Sequence, residues 1–162
     1  MANKAFEYKD GTNIIGSFIT EKKFCDFIES TIEEFTVDVL GESLVSYKRE
    51  YSMHGYIVGS KINTRPPRAD FMIKTDNRMA LVEAKMYRPT DCYGGIGQLL
   101  TYATYKKDEY TDLILVVPKL PEITLHVIDN FELPIKVVLL TEEKIGIWTK
   151  ERYQQELQDV SR

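Results

Sequence analysis

The spacing of apolar side chains predicts a helix near the start of the chain. Between residues 19 and 40, apolar side chains recur every three or four positions, the pattern of an amphipathic helix. They are Phe24, Phe27, Ile28, Ile32, Phe35 and Val39. Thr20 is the expected N-cap, and Glu21 in the first turn suits the helix dipole. Gly41 is expected to end the helix, because glycine readily adopts the left-handed conformation of a C-terminal cap.

Extended segments dominate the middle of the chain and recur towards its end. Residues 68–74 and 79–87 lie on either side of the turn sequence Thr75-Asp76-Asn77-Arg78, which predicts a β-hairpin. The apolar, β-branched stretches 112–117 and 135–140 are typical of buried strands. Further strands are predicted at 44–51, at 56–61 and, as an edge strand, at 144–149.

The remaining segments are predicted to be loops and helices. Residues 88–97 contain three glycines and predict a loop that leads into a helix over 96–107. Residues 122–129 fit more than one structure, and 150–160 predict a polar helix at the end. The order of elements predicts a single domain for the whole chain, of the α/β or the α+β class, with a core over about 20–149 and helices that cover a mixed sheet.

Composition narrows the class of protein. The chain has 162 residues, and no apolar run reaches the roughly 18 residues of a membrane helix. Its two cysteines are too few for a disulfide scaffold or a zinc site, and we expect Cys25 in the core and Cys92 in a loop. Because the start also lacks a secretory pattern, we expect a cytoplasmic protein with reduced thiols and no membrane contact.

Charge is unevenly distributed along the chain. The net charge of −4 argues against a protein that binds nucleic acid over its whole surface. Residues 61–88, however, carry seven basic and three acidic side chains, whereas residues 21–42 carry seven acidic and two basic ones. The middle of the chain can therefore meet an anion. A solvated charged surface without a ligand explains the same pattern equally well.

The predicted hairpin brings two acids together. If residues 76–77 form the centre of the turn, Asp70 lies directly opposite Glu83, and Arg68 lies opposite Lys85. Opposed residues have Cβ atoms about 4.5–5.5 Å apart, so two carboxylates at these positions repel each other. A divalent cation such as Mg²⁺ or Mn²⁺ removes that repulsion. Because side chains alternate along a strand, Lys85 shares a face with Glu83.

The Glu-x-Lys tripeptide by itself is weakly specific. It also occurs at 21–23, in the predicted first helix, and at 142–144, in a polar patch. The copy at 83–85 differs because it lies in an apolar strand and follows a strand that carries Asp70. This context favours a site over a chance occurrence.

The helix that follows carries a polar stripe. Gln98, Tyr102 and Tyr105 are spaced so that they lie on one side of it. They are suited to bind a phosphate or the hairpin acids, or else to pack against the core. The glycines of 94–97 can bind a phosphate through backbone N–H groups. Because the lysine of a P-loop is missing, we interpret this segment as the entry to the helix.

In this order, the motifs resemble the PD-(D/E)XK nuclease superfamily. They are Asp70, then Glu83-Ala84-Lys85 in a strand, then Gln98 and Tyr102 in a helix. The Gln-x-x-x-Tyr element is similar to that of RecB-type nuclease domains, and the strand motifs resemble those of type I restriction motor subunits. Archaeal Holliday junction resolvases share the same core. The resemblance covers about residues 20–117 and implies a restriction-endonuclease-like fold, αβββαβ.

The resemblance also implies a metal site. Asp70, Glu83 and the carbonyl of Ala84 would bind Mg²⁺, which Mn²⁺ is expected to replace. Many members of the superfamily add an acid from the first helix. Glu21 is the candidate for it here, and Glu29 is the second choice.

The implied activity is that of a deoxyribonuclease that hydrolyses phosphodiester bonds. Lys85 would orient or activate the attacking water and stabilise charge on the phosphate, with Gln98 and Tyr102 in support. The expected partner is DNA, with a second copy of the chain or a helicase as further partners. Two alternatives stay open. One is an inactive nucleic-acid-binding module of the same fold, and the other is a protein-interaction domain that uses the first and last helices.

Overall fold

The computed structural model describes residues 20–52, 67–86, 88–105, 109–142 and 145–160. Within them a six-stranded mixed sheet is flanked by five helices, which confirms the predicted α/β class. The helices are α1 (Glu21–Ser30), α2 (Ile32–Leu40), α3 (Pro89–Tyr105), α4 (Glu122–Asn130) and α5 (Lys150–Val160). The strands are β1 (Ser46–Ser52), β2 (Arg68–Lys74), β3 (Met79–Ala84), β4 (Asp112–Val117), β5 (Ile135–Leu140) and β6 (Ile145–Trp148). The extended segment predicted at 56–61 lies outside the described residues.

The strands follow one another across the sheet in chain order. β1, β2 and β3 are antiparallel, β3, β4 and β5 are parallel, and β6 returns antiparallel to β5 as the predicted edge strand. α3 connects β3 to β4, and α4 connects β4 to β5. Every residue of β3 and β4 is buried, as expected for central strands covered on both faces. In the described residues, no helix is long and apolar enough to cross a membrane.

The first helical segment differs from its prediction because it is two helices. Thr20 is the N-cap, as expected, and its hydroxyl oxygen accepts a hydrogen bond from Lys23 N–H at 3.2 Å. Gly41 ends the segment with φ 73°. Between the helices, the hydroxyls of Ser30 and Thr31 donate to the carbonyl of Phe27. Such side-chain bonds compete with the backbone ladder, which explains the interruption.

The loop predicted for residues 88–97 is wrong, because this segment is the first half of α3. The helix begins at Pro89, a residue well suited to a first turn since it has no N–H to leave unsatisfied. Cys92, expected in a loop, is fully buried on this helix, whereas Cys25 is buried as predicted. Glycines favour loops in isolation, but packing of α3 on the sheet overrides that preference.

α1 and α3 cover opposite faces of the sheet. On one face, the Arg49 guanidinium lies 5.9 Å from the ring centre of Phe71 and donates a 2.6 Å hydrogen bond to Asp26 of α1. Glu83 follows the residue paired with Phe71 and therefore projects from the other face. There the hydroxyl of Tyr102, on α3, lies 2.8 Å from Glu83 Oε1. The candidate residues thus meet where β2, β3 and α3 come together.

Candidate metal centre and active site

The hairpin has the register that its turn sequence predicts. The four pairs of the ladder are Phe71–Val82, Met72–Leu81, Ile73–Ala80 and Lys74–Met79. Asp70 and Glu83 continue this register by one residue, just beyond the last pair. Their backbones do not extend the ladder, because side chains take over the hydrogen bonds at this point.

Each acid binds the backbone of the opposite strand. Asp70 N–H donates to Glu83 Oε1 at 3.2 Å, and Ala84 N–H donates to Asp70 Oδ2 at 2.8 Å. The two carboxyl groups are also close enough that the charge of Asp70, after burial, raises the pKa of Glu83. Two carboxylates can approach this closely only when a proton or a cation lies between them. The end of the β2–β3 ladder, where the side chains of Asp70 and Glu83 replace backbone hydrogen bonds, therefore attracts positive charge. This place is the opening in the ladder.

Tyr102 and Gln98 support this pair from α3. The Tyr102 hydroxyl is buried and lies 2.8 Å from Glu83 Oε1 and 2.8 Å from the carbonyl oxygen of Arg68, so it bridges the two strands. Burial raises the pKa of Tyr102, and Gln98, one turn earlier, is close enough to oppose that rise. Tyr105, the third residue of the predicted stripe, packs against the hydrophobic core instead.

Lys85 lies directly beside the acids. Its side chain is 15% exposed, and its Nζ is 3.7 Å from Glu83 Oε2. Glu21, at the N-terminus of α1, places Oε1 3.9 Å from the same nitrogen. Both distances exceed that of a good hydrogen bond, so the ammonium group is held by charge without being fully occupied. It can still donate to a further ligand.

Glu29, the second choice among the acids of the first helix, has a different role. Its carboxylate accepts hydrogen bonds from Tyr47 at 3.0 Å and from Arg49 at 3.2 Å. These bonds fasten α1 to β1. Of the two acids considered on this helix, Glu21 is the one near Lys85.

Burial controls the protonation of the carboxylate pair. Burial, followed by the charge of Asp70, raises the pKa of Glu83 to about 8, although the hydrogen bond from Tyr102 and the charge of Lys85 oppose the rise. Burial also raises the pKa of Asp70 against the Ala84 N–H bond and the charge of Lys85. At neutral pH and without a cation, the pair therefore holds a proton.

The donor set fits a small divalent cation. Two carboxylates converge at the opening in the ladder, and the carbonyl of Ala84 points towards it. This direction follows because Lys85 N–H donates to Val116 of β4, and the carbonyl of a trans peptide points away from its N–H. Among the described residues, no group of three or more His, Cys, Asp or Glu is arranged as a metal site. Mg²⁺ needs fewer, because it commonly uses one or two carboxylates with water and substrate phosphate.

Two residues that affect the charge or the position of Glu21 were not identified from the sequence. Asp91, in the first turn of α3, lies close enough to Glu21 to raise the pKa of that carboxyl, after burial and Asp70. It was missed because its segment was predicted as a loop. Arg49 donates to the carbonyl of Lys22 at 3.5 Å as well as to Asp26, and so anchors the start of α1. No local signal marks this contact, since the partners are more than 20 residues apart.

A scan of the chain against protein-family models finds no match, and a search of curated proteins finds none either.

Proposed function

We propose that this chain is a metal-dependent nuclease of the PD-(D/E)XK type that hydrolyses phosphodiester bonds in DNA. The observation that carries the proposal is the pair of carboxylates, Asp70 and Glu83, held against each other at the end of the hairpin with Lys85 at their side. Two buried acids in contact destabilise a fold unless they gain a proton or a cation. A catalytic metal site would supply that cation and would explain why the two acids lie together.

Each side chain of the proposed site has its own role in the reaction. Asp70, Glu83 and the Ala84 carbonyl would hold Mg²⁺ or Mn²⁺. When bound, the metal supplies Lewis-acid activation of water and neutralises charge that develops on the phosphoryl group. Lys85 donates to a phosphate oxygen and stabilises the additional charge of the transition state. Tyr102 holds the Glu83 carboxylate in position.

Glu21 adds a further negative charge beside Lys85. It lies 3.9 Å from Lys85 Nζ, and Glu83 lies 3.7 Å from the same nitrogen, so the ammonium group is close to two acids. The two carboxylates limit the directions in which the Nζ of Lys85 can move. The charge on Glu21 also adds to the attraction for a cation. We therefore assign it an electrostatic role.

The same charges argue against a module that only binds nucleic acid. Without a metal, the site presents three acids, Asp70, Glu83 and Glu21, around one lysine. Such a site repels phosphate unless a cation is bound or the acids are protonated. A module that had lost hydrolysis would bind DNA more tightly if these acids were replaced. Retention of both carboxylates fits catalysis better.

The first experiment is a cleavage assay on labelled substrates. They are linear single-stranded DNA, duplex DNA, circular DNA, a four-way junction and RNA, each with Mg²⁺, Mn²⁺ or EDTA. We expect metal-dependent cleavage of at least one DNA substrate by the wild-type chain. Asp70→Ala, Glu83→Ala and Lys85→Ala should each reduce the rate by roughly 10³-fold or more while the chain stays folded.

A matched pair on α1 serves as the internal control. Glu21→Gln should slow cleavage by roughly 10-fold, whereas Glu29→Gln, which lies on the same helix but contacts Arg49, should leave the rate within a factor of about 2. Retention of cleavage in all three alanine variants would overturn the proposal. DNA binding without any cleavage, unchanged by EDTA, would support the binding module instead.

A further inference from the structure

Helix α3 contains three glycines, and their surroundings differ. Gly94 and Gly97 are exposed, and a Cβ atom added at either would meet no atom of the described residues within 4 Å. Gly95 is buried, and a Cβ atom there would lie 2.8 Å from Leu115 Cδ1 and 3.0 Å from Lys85 Cγ. Carbon atoms in contact are ordinarily about 3.5–4.0 Å apart. Only at position 95 does packing within the chain explain the absence of a side chain.

Gly95 packs against the aliphatic part of the Lys85 side chain. The Cβ position at 95 is 3.0 Å from Cγ and 3.6 Å from Cε of the lysine, so the aliphatic chain runs along the surface of α3. A lysine side chain has four rotatable bonds and no fixed direction of its own. Here the wall of α3 on one side and Leu115 of β4 nearby restrict it. The ammonium group then reaches Glu83 and Glu21.

We propose that Gly95 is a positioning residue, whose missing side chain leaves the space through which Lys85 reaches the paired carboxylates. The catalytic meaning of this inference rests on the proposed nuclease function. The packing relation between positions 95 and 85 does not. A methyl group at 95 would lie too close to both the Leu115 side chain and the lysine stem, so both contacts must lengthen. Because Leu115 is fully buried, we expect the partly exposed lysine to move.

The kinetic test compares three alanine variants of the same helix. Gly95→Ala should lower kcat by roughly 10-fold or more, because small displacements of a catalytic group are costly, while KM for DNA changes by less than a factor of about 2. Gly94→Ala and Gly97→Ala should leave kcat within a factor of about 2. They should also raise Tm by about 2 °C, since alanine favours a helix. Equal kcat in all three variants would overturn the proposal.

A stability cycle tests the same contact without any catalysis. Gly95→Ala is introduced into the wild-type chain and into the Lys85→Ala chain, which lacks Cγ. We expect Gly95→Ala to lower Tm by several degrees less in the Lys85→Ala chain. Equal losses in both chains would overturn the positioning role and attribute the need for glycine to Leu115 alone. A Gly95→Ala chain that folds only together with Lys85→Ala would support it.

A third variant separates the two neighbours of position 95. Leu115→Val removes the Cδ1 atom, so in this chain the shortest contact of a methyl group at 95 is gone while its contact with Lys85 remains. The loss of kcat should persist there, and recovery of full activity would contradict the assignment. If the wild-type chain cleaves no DNA, the nuclease proposal fails, while the stability cycle still decides whether Gly95 places Lys85.

Discussion

Two buried acidic sites lie at opposite ends of the central strands, and their charges are balanced in different ways. Asp112, at the start of β4, is 3% exposed and accepts hydrogen bonds from Arg78 at 2.9 Å and from Lys136 at 2.7 Å. Glu83, near the end of β3, is equally buried, but its nearest charged neighbours are Asp70 and a lysine at 3.7 Å. One site holds two cations for one acid, and the other holds three acids, including Glu21, around one cation.

The pKa values of the two sites move in opposite directions. Burial alone would raise the pKa of Asp112, but the hydrogen bonds from Lys136, Thr111 and Arg78 together lower it. At the other site, burial and Asp70 raise the pKa of Glu83 to about 8. The charge of a buried acid that has its own cations is balanced within the fold. A buried acid paired with another acid requires a positive charge from outside, which is the property of a metal site.

The largest expected difference between the two acids is in what each contributes to the free energy of unfolding. Asp112→Asn should reduce the free energy of unfolding by about 2–3 kcal/mol, because it removes the partner of two cations. Glu83→Gln should leave that free energy unchanged or raise it at pH 8, because an amide next to Asp70 carries no charge to be repelled. Urea denaturation of metal-free protein measures both. A larger loss from Glu83→Gln than from Asp112→Asn would contradict the comparison.

The second difference is in the dependence of stability on pH. A pKa that is raised from 4.5 to about 8 on folding contributes stability that is complete below 4.5 and is lost as the pH rises through 8. Metal-free wild type should therefore have a Tm about 5 °C lower at pH 9 than at pH 6. Glu83→Gln should remove most of this decrease.

The Asp112 site should respond at the other end of the pH scale. Because its pKa is lowered on folding, its contribution is present above the ordinary value of 3.8 and is lost as the pH falls below that value. Both wild type and Glu83→Gln should lose stability in acid, and Asp112→Asn should lose less. Thermal denaturation in the presence of a chelator separates these effects. If the loss of Tm at pH 9 persists in Glu83→Gln, a group other than Glu83 causes that loss.

The smallest effects are expected from the cations around Asp112. Arg78 and Lys136 are each about four-tenths exposed, so water screens their ion pairs. Lys136→Met or Arg78→Met should reduce the free energy of unfolding by about 0.5–1 kcal/mol, because the other cation still pairs with the acid. The double variant should cost more than the sum of the two, since it leaves a buried charge unpaired. Strict additivity would show that the cations act independently.

The turn sequence and the apolar runs were sufficient to predict the half of the fold that positions the acids. Asp76-Asn77 fixes the hairpin register, and this register determines which residues oppose each other. Thr20 and Gly41 mark the ends of the first helical segment for equally local reasons. In each case the chemistry that decides the structure lies within a few residues along the chain.

The parts that were missed depend on contacts between distant segments. The helical start of α3 could not be predicted, because its glycines disfavour a helix locally, whereas Gly95 packs against Leu115 and Lys85, which lie outside the segment. The Asp112 site was missed because its lysine comes from the neighbouring parallel strand, where nothing in either strand fixes the register. Asp91 was misplaced together with its helix. Tertiary packing decides each of these positions.

The most direct test of the account is whether the paired acids bind a divalent cation and the balanced acid does not. Thermal denaturation with and without Mg²⁺ or Mn²⁺ compares wild type, Asp70→Asn, Glu83→Gln and Asp112→Asn. We predict that either metal raises the Tm of wild type and Asp112→Asn by the same amount and leaves Asp70→Asn and Glu83→Gln unchanged. No increase in wild type, or an equal increase in all four chains, would show that the paired acids do not bind the metal.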